Sequence, residues 1–405
     1  MPPDRNLLLH IMQYSLAAVH GRERVRAFLN QHSMPAPVFL ISVGKAACAM
    51  ADGAHAVLGS KIVEALIITK HGYAEALPWP VLEAGHPLPD EQSLVAGQRL
   101  LDFVTRIPLD AQVLVLLSGG ASALVEVLPE DVGLPQLRAL NTWLLASGLD
   151  IATMNRYRKR LSRIKGGRLA RLLAPRALLC LAISDVPGDD PAAIGSGLLV
   201  ADTGQLPSAD SLPTDLRQAL NSNPGAPAAD DACFKNVRFE IIARLDDAKH
   251  AAAEAARKLG YTARLHAEFV QDDAVFAGER LARTLLAAPQ GEVQIWGGET
   301  TIKLPPQPGR GGRNQSLALA AAQALAGKEQ VWFIAAGTDG SDGPGSDAGG
   351  LVDGGTLARG EQEGFSAAQA LATANAGAFL EASGDLIQTG PTGTNVMDLM
   401  LGLRT

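Results

Sequence analysis

The sequence predicts an α/β protein in two parts, a doubly wound parallel-sheet domain followed by a second, smaller α/β domain. Three observations carry this. Unbroken apolar runs such as residues 112–117 (QVLVLL) and 177–183 (ALLCLAI) alternate with helical stretches, the pattern of parallel strands covered on both faces. Most of these runs stop at a glycine turn, where sheets of this type bind ligands. At 405 residues, with 47% hydrophobic and 19% charged content, the chain is an ordered globular protein long enough for two or three domains.

Leu7, Leu8, Ile11, Met12, Leu16 and Val19 recur at helical spacing, so the chain opens on an amphipathic helix and not a signal peptide. Residues 37–43 (PVFLISV) form a strand that ends at Gly44-Lys45 and passes into an alanine-rich helix. Runs at 65–69, 79–84 and 112–117 repeat the pattern, ending at Lys70-His71-Gly72, Gly85-His86-Pro87 and Ser118-Gly119-Gly120. Helices are expected at about 89–105 and 121–127, two or three more between 134 and 173, and a strand at 177–183 ending in SDVPGDD. Residues 202–233 contain four prolines and little periodicity, and read as the connection that closes a first domain of residues 1–233. The second domain, 234–405, is expected to hold strands at 237–243, 262–269, 293–296 and 331–336. Helices are expected there at 246–259, at 272–287 and near 314–326, before a last turn at QTGPTGTNVMD.

A net charge of -7 argues against nucleic acid or an anionic membrane as partner, and no run approaches a membrane span. Cys48, Cys180 and Cys233 fall at no metal-ligand spacing. Cys48 and Cys180 sit in apolar surroundings suited to buried free thiols, so a reducing, cytoplasmic compartment is expected.

Six turns combine a strand end, glycines and polar residues: Gly44-Lys45, SGGAS (118–122), SDVPGDD (184–190), GGETT (297–301), GTDGSDG (337–343) and TGPTGTN (389–395). Six such turns spread over two domains predict a ligand cleft at the domain interface. SGGAS offers backbone N–H groups and the hydroxyls of Ser118 and Ser122 to a phosphate. Lys45 opens a helix, where a cation opposes the dipole, and so is expected to serve an anion. Arg313 sits where a glycine turn feeds a helix and can stabilise charge on a transferring group. Asp185 and Asp189 suit magnesium or a base, and Asp190, before Pro191, suits a cap. Residues 337–350 hold six glycines with Asp339, Asp342 and Asp347, a cluster that a cation bridging to a phosphate would stabilise. Eight cations within residues 156–171, Arg158 among them, are mostly a solvated face from which one or two reach an anionic substrate. No G-x-G-x-x-G follows a strand, which counts against a nicotinamide dinucleotide.

The blocks VGKAACAMA (43–51), TKHGY (69–73), EAGHPLPDEQS (83–93), LLSGGASAL (116–124), RKRLSRIKGGRLA (158–170), ISDVPGDDPAAIGSG (183–197), GGETTIKL (297–304), GRGGRNQ (309–315), AAGTDGSDGP (335–344) and TGPTGTNVMDL (389–399) resemble, in matching order, the class II glycerate kinases. In that family the second half is called the MOFRL domain and the first is Rossmann-like. The resemblance implies ATP- and magnesium-dependent phosphorylation of D-glycerate in the interdomain cleft, usually at the 2-hydroxyl. It implies Lys45 and Arg313 as catalytic cations. The site expected on this basis places Lys45, Arg313 and Asp189 in catalysis. Nucleotide phosphates fall to Ser118, Gly119, Gly120 and Ser122, with Gly297, Gly298, Glu299, Thr392 and Asn395. Lys45, Arg158 and Arg313 face the substrate, and Asp185, Asp189 and Asp339 face magnesium. A small-molecule substrate is the expected partner, and a homodimer is compatible with the sequence. The chain departs from the family pattern at Arg160, where a histidine is usual, and at Asn375-Ala376, where an Asn-Asp pair is usual. The competing readings are a hydroxypyruvate reductase and a non-catalytic sugar-acid-binding protein.

Overall fold

The computed structural model describes residues 3–147, 149, 151–204, 212–221, 225–343 and 345–405. The chain separates into two compact units, Gly21–Ile242 and a second built from Met1–His20 together with Ala243–Thr405.

In the first unit, strands β1 (Val38–Val43), β2 (Ile62–Lys70), β3 (Val81–Ala84), β4 (Gln112–Leu117), β5 (Ala177–Ile183) and β6 (Val237–Ala243) form a six-stranded sheet in the order β3-β2-β1-β4-β5-β6. The pairs β1–β2, β1–β4, β2–β3 and β4–β5 are parallel. Their near-continuous burial explains the unbroken apolar runs, since each face meets helices. On one face Phe39, Ile41 and Val43 align with Val113, Val115 and Leu117 and with Leu178 and Cys180. Leu100 and Phe103 of helix Glu91–Arg106 and Leu169 of helix Arg168–Leu173 cover them. Helix Ala47–Leu58 packs against β1 and β2.

The second unit holds β7 (Thr262–Val270), β8 (Glu292–Gly298), β9 (Val331–Gly337), β10 (Gly349–Asp353), β11 (Leu386–Ile387) and β12 (Asp398–Arg404), in the order β11-β10-β9-β12-β8-β7. Only β7 and β8 pair in parallel among these; β12 runs antiparallel to both β8 and β9. One face, with Trp296, Phe333 and Met400, is covered by helices Ala274–Ala287 and Arg313–Leu325. The other, with Ile295, Ile334 and Leu401, is covered by helix Leu245–Lys258 and by Leu8, Ile11 and Met12 of helix Pro3–Ala18.

The division expected at residue 233 therefore falls elsewhere. Strand β6 lies beside β5 and completes the first sheet. The opening helix buries its apolar stripe on the second sheet, where Arg5 also donates to Asp385 at 2.6 Å. The helix expected at 121–127 is the single turn Ala121–Leu124. The three cysteines are free and buried. Among the described residues no helix is long and apolar enough to cross a membrane.

Candidate functional site

The six glycine turns divide evenly: Gly44-Lys45, SGGAS and SDVPGDD belong to the first unit, and GGETT, GTDGSDG and TGPTGTN to the second.

In the first unit the turns meet at the carboxyl ends of the parallel strands. Gly44 adopts a left-handed φ of 136°, and a Cβ there would lie 2.1 Å from Ser118 Oγ, so only glycine permits the approach. Ser118 is fully buried, and its hydroxyl accepts from the Ala46 N–H at 3.0 Å. The Lys45 N–H donates to Gly119 O at 2.9 Å. Ser118 thus clasps the turn that carries Lys45 through its hydroxyl oxygen. A Cβ on Gly120 would lie 2.9 Å from His86 Cδ2 and 3.5 Å from Lys45 Cγ, which places His86 and Lys45 together over SGGAS. Ser122 Oγ lies 2.6 Å from Ser196 Oγ in the turn that follows SDVPGDD. Both Asp189 and Ser196 hold left-handed backbone, at φ 55° and 60°. Non-glycine residues retained in this region cluster at functional sites. Asp190 accepts from the Ala192 N–H at 2.9 Å within a turn, and not as the helix cap expected of it, since the helical turn that follows, Ile194–Ser196, begins after Ala193.

His86 and Ser196 were not among the expected site residues. The Gly-His-Pro turn at a strand end and the glycines flanking Ser196 were the signals available for them.

Next to SGGAS, the cation-rich stretch is largely consumed by the fold. Lys165 forms a buried ion pair with Glu126. The Arg168 guanidinium donates to the carbonyls of Lys159 and Lys165, and Lys159 pairs with Asp202 at 3.3 Å. Arg158 donates to the amide oxygens of Asn141 and Asn155 at 2.8 and 3.0 Å.

In the second unit the loop of three aspartates is held by the protein's own donors. Asp342 accepts from the N–H groups of Asn314 and Gln315, at 3.0 and 2.8 Å, and so caps helix Arg313–Leu325 from outside the helix, whose own cap residue Gly312 has no side chain to do so. Burial, and then the charge of Asp398, push the Asp342 carboxyl up to about 7, against the opposing pull of those two N–H groups and Arg313. Asp347 is gripped bidentately by Arg310, both contacts 2.9 Å, and Asp339 accepts from the N–H and hydroxyl of Ser341. The carboxylates for which the sequence suggested a bridging cation thus each have donors of the protein's own.

Arg313 itself is fixed by a residue that the sequence reading did not single out. Its Nε and Nη2 donate to both carboxylate oxygens of Asp398, at 2.6 and 3.0 Å, and Nη2 also meets Glu299 at 3.1 Å. Burial would lower the Arg313 pKa, but the carboxylates of Asp398 and Glu299 raise it above the ordinary value. Thr392 donates its hydroxyl to Thr338 O, and the Asn395 amide oxygen accepts from the Met397 N–H at 3.4 Å, so both brace the turn into β12. Ala376, where the family pattern has an aspartate, is fully buried beside Leu319 and Phe379. Among the described residues no group of three or more His, Cys, Asp or Glu is placed to hold a metal ion.

The family described as a domain of unknown function (DUF4147) matches residues 7–219, and the MOFRL family matches residues 292–398. The chain is 36% identical to a D-glycerate 2-kinase of Thermotoga maritima, over 98% of either chain. It is also 36% identical to a putative hydroxypyruvate reductase of Agrobacterium vitis, covering 89% of this chain and 85% of that one. A crystal structure of glycerate kinase from Thermotoga maritima superposes with a TM-score of 0.84 at 35% identity, covering 99% of both chains. With both halves matched in order and the fold shared from end to end, the chain belongs to the class II glycerate kinase family and carries its MOFRL domain.

Proposed function

We propose that the protein is a glycerate 2-kinase, transferring the γ-phosphoryl group of ATP to the 2-hydroxyl of D-glycerate to give 2-phosphoglycerate and ADP. The observation that supports this most is the meeting of Lys45, His86, Gly120 and the Ser122–Ser196 pair at the carboxyl edge of the parallel sheet, with Asp189 left-handed in the turn that follows β5. Phosphoryl transfer asks a protein chiefly to position reactants and to stabilise charge on three phosphoryl oxygens, and this set supplies a cation, hydroxyls and glycine backbone for that.

Lys45, held by the Ser118 clasp, balances the charge of the transferring phosphoryl group or the substrate carboxylate. Ser122 and the glycines of SGGAS face the nucleotide phosphates. Arg313, oriented by Asp398, offers the outer edge of its guanidinium to the same class of anion. The 2-hydroxyl oxygen attacks the γ-phosphorus, the bond from that phosphorus to the bridging oxygen breaks, and the hydroxyl proton passes to a carboxylate, for which Asp189 is the candidate.

With Asp189 taking the proton, Asp185 is the carboxylate left for magnesium, an ion usually held by one or two protein carboxylates plus phosphates and water, without a three-ligand protein cage. When bound, it would neutralise phosphate charge. Asp339, turned onto Ser341, fits less well.

A coupled assay with D-glycerate and MgATP tests the activity, beside an assay of NADH oxidation with hydroxypyruvate. Lys45→Ala and Arg313→Ala are each expected to lower kcat by about 10² to 10⁴. Near-full turnover in both variants would overturn the roles given to them.

A further inference from the structure

Arg313 is engaged twice within its own unit, and the two engagements differ in kind. Asp398 takes Nε and Nη2 together from a side chain only 1% exposed, at the head of the central strand β12. The residue before it, Met397, holds a left-handed φ of 70°, and its carbonyl accepts from both the N–H and the hydroxyl of Thr338. Strained backbone clamped from two sides in this way fixes where Asp398 points. Glu299 meets the same Nη2 from a side chain 42% exposed, while its backbone N–H is tied to Val270 O at 2.8 Å. The Glu299 carboxylate thus reaches Arg313 from a backbone that is fixed independently of the pair. Another nearby carboxylate, Asp342, is committed to the first N–H groups of the helix that Arg313 begins.

We propose that Glu299 is an exchangeable internal anion for Arg313, covering the outward Nη2 until a phosphoryl or carboxylate group of the ligand displaces it, while Asp398 remains and sets the direction of the guanidinium. This rests on the reading of Arg313 as a ligand-facing cation of a glycerate kinase. Asp398 is then a positioning residue, and Glu299 sets how tightly, and with what salt sensitivity, the site takes an anion. A pair exposed on its Glu299 side is screened by salt, which is the property an exchangeable partner needs.

The test uses inorganic phosphate as probe and the full chain, with Kd taken from the rise in thermal unfolding midpoint with phosphate concentration. Glu299→Gln is expected to tighten phosphate binding by about 2- to 5-fold at low ionic strength, the range of an exposed ion pair, with the gain largely lost near 0.5 M salt. A merely structural Glu299 would give weaker binding and no such salt dependence. Asp398→Asn is expected to weaken phosphate binding, with Glu299→Gln restoring part of it in that background. If Asp398→Asn does not fold, the single Glu299 variant still decides. Unchanged or weakened phosphate binding in Glu299→Gln overturns the proposal even where the wild type phosphorylates glycerate. Tightened binding in a wild-type background that does not phosphorylate glycerate upholds the anion exchange and rejects the kinase reading.

Discussion

Asp342 shows how one residue's surroundings set its behaviour. Its carboxyl is almost fully buried, and burial, with the charge of Asp398, pushes it up from the ordinary 3.8 to about 7. The folded state therefore holds that proton more tightly than the unfolded chain. This contribution favours folding most below about pH 4, declines as pH rises from there through about 7, and then levels off. In urea unfolding between pH 4 and 8, wild type is expected to lose stability with rising pH more steeply than Asp342→Asn, which cannot titrate. Parallel profiles would contradict that account. Ser118 is the complementary case, a neutral group whose hydroxyl answers a buried N–H. Ser118→Ala leaves the Ala46 N–H without that partner and is expected to cost about 1 to 3 kcal/mol in denaturant unfolding, together with a fall in kcat as the Lys45 turn loosens. A loss of stability with full activity would remove Ser118 from the positioning of Lys45.

Among the elements, what the sequence reveals depends on whether the deciding contact is local. Strands β4 and β5 fall at the residues where the apolar runs place them, because burial on both faces leaves no other pattern. Strands β10 and β12 were not expected. β10 begins on Gly349 and Gly350, which read as loop, and β12 begins on a buried aspartate and contains Gly402, yet it lies at the centre of its sheet. The same limit governs the site. Glycine turns and the charges of Lys45 and Arg313 are local signals and stood out in the sequence. The partnership of Arg313 with Asp398 spans 85 residues, and the capping of its helix by Asp342 spans 28, so neither has a local signature. In the aspartate loop the carboxylates are conspicuous in the sequence, while the N–H groups of Asn314 and Gln315 that Asp342 accepts from, and the Arg310 that grips Asp347, lie elsewhere in the chain.

For the whole molecule, the sharing of one unit between both ends of the chain has a direct consequence. Leu8 and Ile11 are fully buried against the second sheet, and each contributes about 1.5 to 3 kcal/mol by leaving water. Deleting residues 1–20 is expected to abolish amide hydrogen-exchange protection in β9 and β12 while β1 and β4 stay protected. Loss confined to β1 and β4 would contradict the division into Gly21–Ile242 and the rest. Phosphoryl transfer to glycerate is the central claim, and phosphorus NMR of a reaction containing D-glycerate and MgATP tests it most directly. The account predicts the resonance of 2-phosphoglycerate growing in step with ADP. No phosphorylated glycerate, with NADH consumed on hydroxypyruvate instead, would contradict it.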